Sequence, residues 1–252
     1  MAYILGYKHK IVNKSERFSG LCYSKFMKIC VPIREKDPKK VKKRLLEASK
    51  KADLAEIWLD RIKEPEIKKL LAKAPLPVLA VCKRKAEKGG FKGSYKEQAD
   101  LLKEAIKSGA KYVDIPLFMP EKLNKKIVQV ARRKGCKVII SHHDFKKTPD
   151  YPKLTKMTDL MHKKGADIAK IATYANDLQD TVNMISLGKY LQQRKTPHIL
   201  IAMGQKGRLS RILTPTLGGE MMFATPGKKG QTASGQLSVR QLKSAWFLIQ
   251  PK

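Results

Sequence analysis

The chain has 252 residues, is 42% hydrophobic and carries a formal net charge of +32. This size fits a single α/β barrel domain of about 200–250 residues with one large core. The sequence lacks the roughly 20 consecutive apolar residues of a membrane span, and lysines interrupt residues 1–24, where a secretory signal would be apolar. We therefore expect a cytoplasmic protein.

The charge is unusual for a metabolic enzyme, because 54 Lys and Arg residues outnumber 22 Asp and Glu residues. Solvated helix faces would explain where the lysines lie but not the imbalance, since glutamate serves solvation equally well. Such a surplus attracts polyanions through phosphate contacts and counterion release. Two interpretations stay open: a nucleic-acid or ribonucleoprotein setting, or a basic proteome, high salt or high temperature.

The cysteines and the N-terminal residues complete the coarse picture. The four cysteines are widely spaced and form no C-x-x-C pair, which favours buried, reduced thiols over a zinc site or disulfides: Cys22, Cys30, Cys82 and Cys136. Residues 1–27 are basic and have no clear hydrophobic period. They predict an extension outside the domain, and an arm that orders on a partner is one form that such an extension takes.

From residue 28 onward, short apolar runs alternate with amphipathic stretches. The apolar runs predict strands at 28–33, 54–59, 77–82, 111–115, 137–141, 166–171, 198–202 and 221–224. The amphipathic stretches predict helices at 38–51, 64–72, 94–108, 120–134, 152–164, 177–193 and 238–248. Asp37 before Pro38, and Ser94 with Glu97 in a capping-box spacing, support two of the helix starts.

Strands that alternate with helices predict a parallel sheet, and eight such units predict a single (β/α)8 TIM barrel over residues 28–252. A doubly wound open sheet is the main alternative. It would normally show a glycine-rich turn after the first strand, and residues 34–37 (REKD) are not one. Residues 227–235 (GKKGQTASG) predict a mobile loop, or a lid, between the last strand and the last helix.

In a barrel of this kind the active site lies at the C-terminal ends of the strands. The polar or functional residues predicted there are Glu56, Asp60, Arg84, Asp114, His142, His143, Asp144, Lys170, Met203, Arg208, Arg211, Thr232 and Gln236. Each has a structural alternative: the acids can cap loops or pair with lysines, an arginine in a basic run means little alone, and one of the two histidines is expected to be structural.

Lys170 is the sharpest signal, because it lies inside the apolar tetrapeptide AKIA. Burial among apolar groups disfavours the ammonium form and leaves a neutral amine that can attack a carbonyl. A lysine that merely extends to solvent is the alternative. We predict that Lys170 faces His143, from the segment SHHDF, across one pocket.

Seven segments, in order, resemble the motifs of type I 3-dehydroquinate dehydratase, the Schiff-base enzyme of the shikimate pathway. They are KICVPI, ADLAEIWLD (family E-x-R-x-D), Arg84 with Gly89-Gly90 (T-x-R…E-G-G), SHHDF (S-Y-H-D-F), AKIA, MGQKGRLSR (M-G-x-x-G-x-x-S-R) and TASGQ (S-A-P-G-Q). The resemblance covers residues 28 to about 248.

The resemblance implies a barrel, often dimeric, without a metal or a diffusible cofactor. It implies that Lys170 forms an imine with the ketone of 3-dehydroquinate, and that His143 removes the neighbouring proton and helps protonate the leaving hydroxyl. The product would be 3-dehydroshikimate. Arg211 would hold the substrate carboxylate, and the other substrate-binding residues would be Glu56, Arg84, Met203, Thr232 and Gln236.

The chain departs from the family pattern at several positions. Trp58 stands at the arginine of E-x-R-x-D, and Lys88 stands at the glutamate of E-G-G, with Glu87 one place earlier. Since that glutamate orients the histidine in the family, the sequence predicts that His143 lacks its supporting carboxylate. Pro116 and Ser234 replace an acid and the lid proline.

Two functional hypotheses follow from these observations. The first is a working dehydratase that acts through Lys170 and His143. The alternative is a catalytically impaired barrel that has been recruited as an RNA-binding or ribosome-associated component through its basic surface and N-terminal arm.

Overall fold

The computed structural model describes residues 27–63, 65–227 and 232–249. The strands are β1 (Lys28–Ile33), β2 (Leu54–Trp58), β3 (Val78–Val81), β4 (Tyr112–Pro116), β5 (Lys137–Asp144), β6 (Ile168–Tyr174), β7 (His198–Met203) and β8 (Met221–Phe223). The helices are α1 (Pro38–Ser49), α2 (Ile67–Leu71), α3 (Tyr95–Lys107), α4 (Glu121–Arg133), α5 (Tyr151–Lys163), α6 (Leu178–Gln193), α7 (Ser210–Thr216) and α8 (Val239–Ile249). Apart from Met27, the predicted N-terminal extension lies outside the described residues.

The strands form one parallel sheet in the order β7-β6-β5-β4-β3-β2-β1-β8. From β1 to β7 each strand pairs with the next one along the chain, and β1 also pairs with β8. The backbone N–H of Glu220, just before β8, donates to the carbonyl of His198 on β7 at 2.8 Å, so the ring is nearly closed. This order confirms the (β/α)8 TIM barrel and excludes the doubly wound alternative, in which the strand order reverses partway.

The strands are almost continuously apolar because both of their faces are buried. On β5, Ile139 belongs to one apolar cluster, whereas Val138 and Ile140 belong to another, because alternate side chains point to opposite faces of the sheet. Three cysteines, Cys30, Cys82 and Cys136, are free and buried, as predicted, and Cys22 lies outside the described residues. Within the described residues, no helix combines the length and apolar character that crossing a membrane requires.

Local signals account for several helix boundaries. The capping box at the start of α3 is present, because Ser94 accepts from the N–H of Glu97 and the Glu97 carboxylate accepts from the N–H of Ser94. Asp37 accepts from the N–H of Lys39 at the start of α1, with Pro38 in the first turn. Such caps typically contribute about 0.5–2 kcal/mol each.

The structure differs from the sequence prediction in ways that affect the site. β5 extends to Asp144 and β6 to Tyr174, because polar residues at their ends still pair across the sheet. His143 therefore lies on a rigid strand and not in a loop. In place of the predicted helix 64–72, the structure has only the shorter helix α2. Helix α7 was not predicted, because it is short and contains Pro215.

Candidate active site

A cavity of roughly 600 Å³, including its open mouth, lies at the C-terminal end of the barrel. All but one of the predicted catalytic and substrate-binding residues line it: Glu56, His143, Lys170, Met203, Arg211, Thr232 and Gln236. Arg84 is not among the lining residues. The cavity also contains residues that the sequence analysis did not assign to the site, and Lys83 is the most buried of them.

Lys83 follows β3 and is fixed by three acceptors. Its Nζ lies 2.7 Å from Oδ1 of Asp114, 3.0 Å from Oε1 of Glu87 and 2.9 Å from Oγ of Ser141. Burial disfavours its charge, but Asp114 and Glu87 together raise the pKa of the ammonium. Because an ammonium has three N–H donors, Lys83 has no donor left for a ligand.

Asp114, on β4, is completely buried and joins two lysines. Its Oδ1 accepts from Lys83, and its Oδ2 lies 3.1 Å from Nζ of Lys170. Although burial opposes ionisation, the two ammonium groups hold the pKa of this carboxyl well below its usual range. The sequence prediction that Asp114 could pair with lysines is confirmed.

Lys170, on β6, is buried, as predicted, but its surroundings are not apolar. Besides Asp114, Glu56 lies 3.5 Å away through Oε1, and the Phe223 ring centroid lies 4.3 Å from Nζ. The expectation of a lysine among apolar groups is therefore wrong in this respect. The inward faces of β2 and β4 bring two carboxylates to Nζ, which the local sequence AKIA could not indicate.

His143 lies near the same group of charges. On β5, Ser141 is paired with Lys170, and His143 follows two residues later on the same strand face. Burial and the ammonium of Lys83 lower the pKa of His143 to about 4, against the opposite effect of Glu87. The imidazole is therefore neutral at neutral pH.

The supporting carboxylate that the sequence analysis expected to be absent is present. Oε1 of Glu87 lies 3.3 Å from Nδ1 of His143, longer than a well-formed hydrogen bond, so we describe the contact as electrostatic. Burial opposes the charge, but Lys83 and His143 lower the pKa of Glu87 to about 2. The prediction that Lys88 takes this place is therefore wrong.

The backbone of the loop 83–90 explains this correction. Lys88 adopts a left-handed conformation with φ of +59°, which turns its side chain toward the ring of Phe145, 4.2 Å from the ring centroid. At Gly89 a Cβ atom would lie 1.8 Å from the carbonyl oxygen of Lys83, so only glycine fits. Asp60 accepts from the N–H groups of Lys83 and Gly90, at 2.9 and 2.8 Å, and holds both ends of the loop.

Arg84 lies on the other side of this loop. Its guanidinium carbon lies 4.5 Å from the centroid of the Tyr95 ring and 5.8 Å from that of Phe91. The run KRKAEK does not indicate which basic residue points into the barrel, and the structure turns Lys83 inward and Arg84 outward. Lys83 and Glu87 are four residues apart, but Lys83 lies outside the short 3₁₀ turn Lys85–Glu87, so the helical i, i+4 rule does not identify this pair from the sequence.

Arg211, in α7, is buried with few partners. Its Nη2 donates to the carbonyl of Ser234 at 3.0 Å, whereas its Nε has no hydrogen-bond partner. Burial, together with Arg208, lowers the pKa of its guanidinium to about 10. Among the described residues no carboxylate forms an ion pair with it, so an anionic ligand would complete its environment.

The described part of the predicted lid closes one side of the cavity. Thr232 donates from its N–H to Oε1 of Gln236 at 2.9 Å, and both side chains line the cavity. At Gly235, φ is +73° and a Cβ would lie 2.2 Å from the carbonyl oxygen of Gly204, so the two loops can approach only with glycine here. Residues 228–231 of this segment lie outside the described residues.

His142 has a separate environment, with its ring edge-on to Phe118 at 5.7 Å between centroids. It does not line the cavity, in agreement with the assignment of His143 alone to the chemistry. In the described part of the chain, no cluster of three or more His, Cys, Asp or Glu side chains is arranged to hold a metal ion.

Comparison with known proteins gives a consistent result. The family model described as type I 3-dehydroquinase matches residues 29–252. A 3-dehydroquinate dehydratase of Methanococcus maripaludis is 34% identical over 88% of this chain and 99% of the relative. The 3-dehydroquinate dehydratase of Methanocaldococcus jannaschii is 35% identical over 89% of this chain and the full length of the relative.

The fold comparison agrees with the sequence comparison. The crystal structure of a type I 3-dehydroquinate dehydratase from Clostridium difficile, with covalently modified comenic acid, superposes with a TM-score of 0.81 and 28% identity. That match covers 89% of this chain and 92% of the other. The predicted nucleic-acid association, homodimer and cytoplasmic location are not tested by these comparisons and stay predictions. The chain belongs to the type I 3-dehydroquinase family.

Proposed function

We propose that this protein eliminates water from 3-dehydroquinate through an imine on Lys170, with His143 as general base and acid. The observation that carries the proposal is the difference between the two buried lysines of the cavity. Lys83 uses all three ammonium donors on fixed acceptors, whereas Lys170 has two carboxylate contacts and an aromatic face. Lys170 is therefore the lysine with capacity left for a ligand.

In the proposed reaction, the Lys170 ammonium first gives up one proton, and the neutral Nζ attacks the substrate ketone. The ketone oxygen takes up that proton and a second one from Nζ and leaves as water, so that an iminium with one N–H remains. The resulting iminium makes the proton on the neighbouring carbon acidic. The neutral imidazole of His143 takes that proton, and the electron pair expels the hydroxyl one carbon further along the ring. The imidazolium then protonates the leaving hydroxyl, and hydrolysis of the imine consumes one water, so the net loss is one water.

The remaining charges of the cavity suit this sequence of steps. Glu87 lies where it would stabilise the imidazolium that forms transiently on His143. Arg211, buried and incompletely hydrogen-bonded, would bind the substrate carboxylate. Glu56, Met203, Thr232 and Gln236 would surround the rest of the ring. Arg84 would need to leave its aromatic contacts to reach the substrate, so we leave it out of the proposed binding set.

The test is reduction of the enzyme–substrate mixture with borohydride, followed by peptide mass spectrometry. The expected result is an adduct on the peptide that contains Lys170, with no adduct on the peptide that contains Lys83. Lys170→Ala should abolish both the adduct and turnover, whereas Lys96→Ala, a change at an exposed lysine on α3, should keep both. Turnover without a trapped adduct, or an adduct on Lys83, would contradict the mechanism.

A further inference from the structure

Arg34 and Trp58 form a stacked pair at the mouth of the cavity. Arg34 follows β1 directly, Trp58 ends β2, and both line the cavity. The guanidinium carbon of Arg34 lies 4.2 Å from the centroid of the indole ring. Stacking of this kind fixes the plane of a guanidinium while leaving the N–H groups on its edge available for hydrogen bonds.

Arg34 has more donor capacity than its protein partners use. Its Nη2 donates to the carbonyl of Lys88 at 3.1 Å, out of five N–H groups on a guanidinium. Among the described residues no carboxylate lies within ion-pair distance of it. Burial and then the neighbouring Arg61 lower the pKa of this guanidinium, against the opposite effect of the carboxylates of Asp60 and Glu56.

Glu56 provides the complementary acceptor beside this pair. Its Oε2 accepts from Nε1 of Trp58 at 2.6 Å, and its Oε1 lies 3.5 Å from Nζ of Lys170. A donor next to a buried acceptor matches a hydroxyl group, which both accepts and donates a hydrogen bond. It matches a carboxylate poorly, because Glu56 would repel it, whereas Arg211 has no such acid beside it.

We propose that Arg34, held flat against Trp58, donates to a ring hydroxyl of the substrate and so contributes to substrate specificity. The inference rests on the proposed function and adds a binding residue to it. In this arrangement Trp58 is a positioning residue, since its indole orients the Arg34 guanidinium on one side and the Glu56 carboxylate on the other.

The first test is steady-state kinetics of Arg34→Ala. We expect KM for 3-dehydroquinate to rise about 10- to 100-fold while kcat changes by less than about threefold, because the lost contact is made in both ground and transition states. Arg34→Lys should recover only part of the affinity, since a lysine keeps the charge but lacks the planar fork that stacks on an indole. A KM within about twofold of the wild-type value for Arg34→Ala would overturn the proposal.

Arg61→Ala is the matched control for a purely structural role of Arg34. Nη2 of Arg61 donates to the same Lys88 carbonyl at 2.6 Å, yet Arg61 does not line the cavity. If Arg34 acted only by holding this loop, Arg61→Ala would raise KM as much as Arg34→Ala does. We expect Arg61→Ala to keep KM within about twofold of wild type.

Deoxy analogues of 3-dehydroquinate, each of which lacks one secondary ring hydroxyl, identify the group that Arg34 binds. For one analogue, we expect a raised KM with the wild type and little further increase with Arg34→Ala. If Arg34→Ala raised KM by the same factor for every analogue, the hydroxyl assignment would be overturned. Borohydride trapping on the wild type separates the two proposals: no adduct on Lys170 contradicts both, whereas an adduct with an unchanged KM in Arg34→Ala contradicts only this one.

Discussion

Lys83 and Lys170 are two buried lysines that share one carboxylate, yet their surroundings differ. Each contacts one oxygen of Asp114, but Lys83 has two further acceptors and lies just beyond a strand, whereas Lys170 lies within β6. The comparison shows that burial and pairing with an acid do not alone identify a nucleophilic lysine. The useful criterion is how many of its hydrogen-bond donors the protein already occupies.

The largest expected effect comes from changing Lys170 itself. Lys170→Ala should lower kcat by at least about 10³-fold, because the nucleophile that forms the imine is lost. The fold should persist, since Asp114 keeps its contacts with Lys83 and Ser141. The measurement is turnover of 3-dehydroquinate with circular dichroism as the folding control. Residual turnover above about 0.1 per cent of wild type would contradict the assignment of Lys170 as nucleophile.

Lys83→Met should mainly lower the free energy of unfolding. Removing this ammonium leaves Asp114 and Glu87 buried with fewer partners, and breaking a buried pair from one side costs about 3–5 kcal/mol. Urea denaturation should show a larger loss for Lys83→Met than for Lys170→Met, because Lys83 has more acceptors to leave unpaired. Equal losses would contradict the comparison.

The pH dependence of that loss has a defined direction. The pKa of Asp114 is depressed in the folded state, so its contribution to stability is present at neutral pH and is lost as the pH falls below the unfolded value of about 3.9. The difference in unfolding free energy between wild type and Lys83→Met should therefore be largest near pH 7. It should shrink as the pH is lowered toward 3.

Glu87→Gln tests the carboxylate next to His143. Glu87 raises the pKa of His143 against the larger effects of burial and Lys83, so its neutralisation should lower that pKa below about 4. The acid limb of the pH profile of kcat/KM should move to lower pH. We expect kcat to fall about 10- to 100-fold, because the transient imidazolium loses its counter-charge. A shift of the limb to higher pH would contradict the assigned role.

The sequence predicted the barrel and most of the cavity because these depend on regular signals. Near-continuous apolar runs located the strands, and the strand ends, taken with the family resemblance, identified Lys170, His143 and Arg211 as site residues. The pair Lys83 and Glu87 was missed because several basic residues follow β3, and a shift of one residue decides which points inward. The left-handed backbone at Lys88 is uncommon for a residue other than glycine, so the inward position of Glu87 was not predictable.

The stack of Arg34 on Trp58 was not predictable for a different reason. Its two members follow different strands, and the contact depends on the register in which β1 pairs with β2. From the sequence, Trp58 was only a departure from a motif. In the structure, β1 places the guanidinium of Arg34 against the face of the Trp58 indole, at the mouth of the cavity.

The smallest expected effect concerns the position of Lys83 at the end of β3. Asp60 accepts from the backbone N–H groups of Lys83 and Gly90, so Asp60→Asn replaces one acceptor by a donor and should cost about 1–2 kcal/mol of stability. Because this loop also carries Glu87, kcat should fall severalfold. Asp53→Asn is the matched control, since Asp53 accepts from the N–H of Ile29 at 2.7 Å near the opposite end of the barrel. It should lose less stability, because the amide oxygen of an asparagine can still accept this single bond, and its kcat should be unchanged. A loss of kcat in both variants would show that the effect is not specific to the loop.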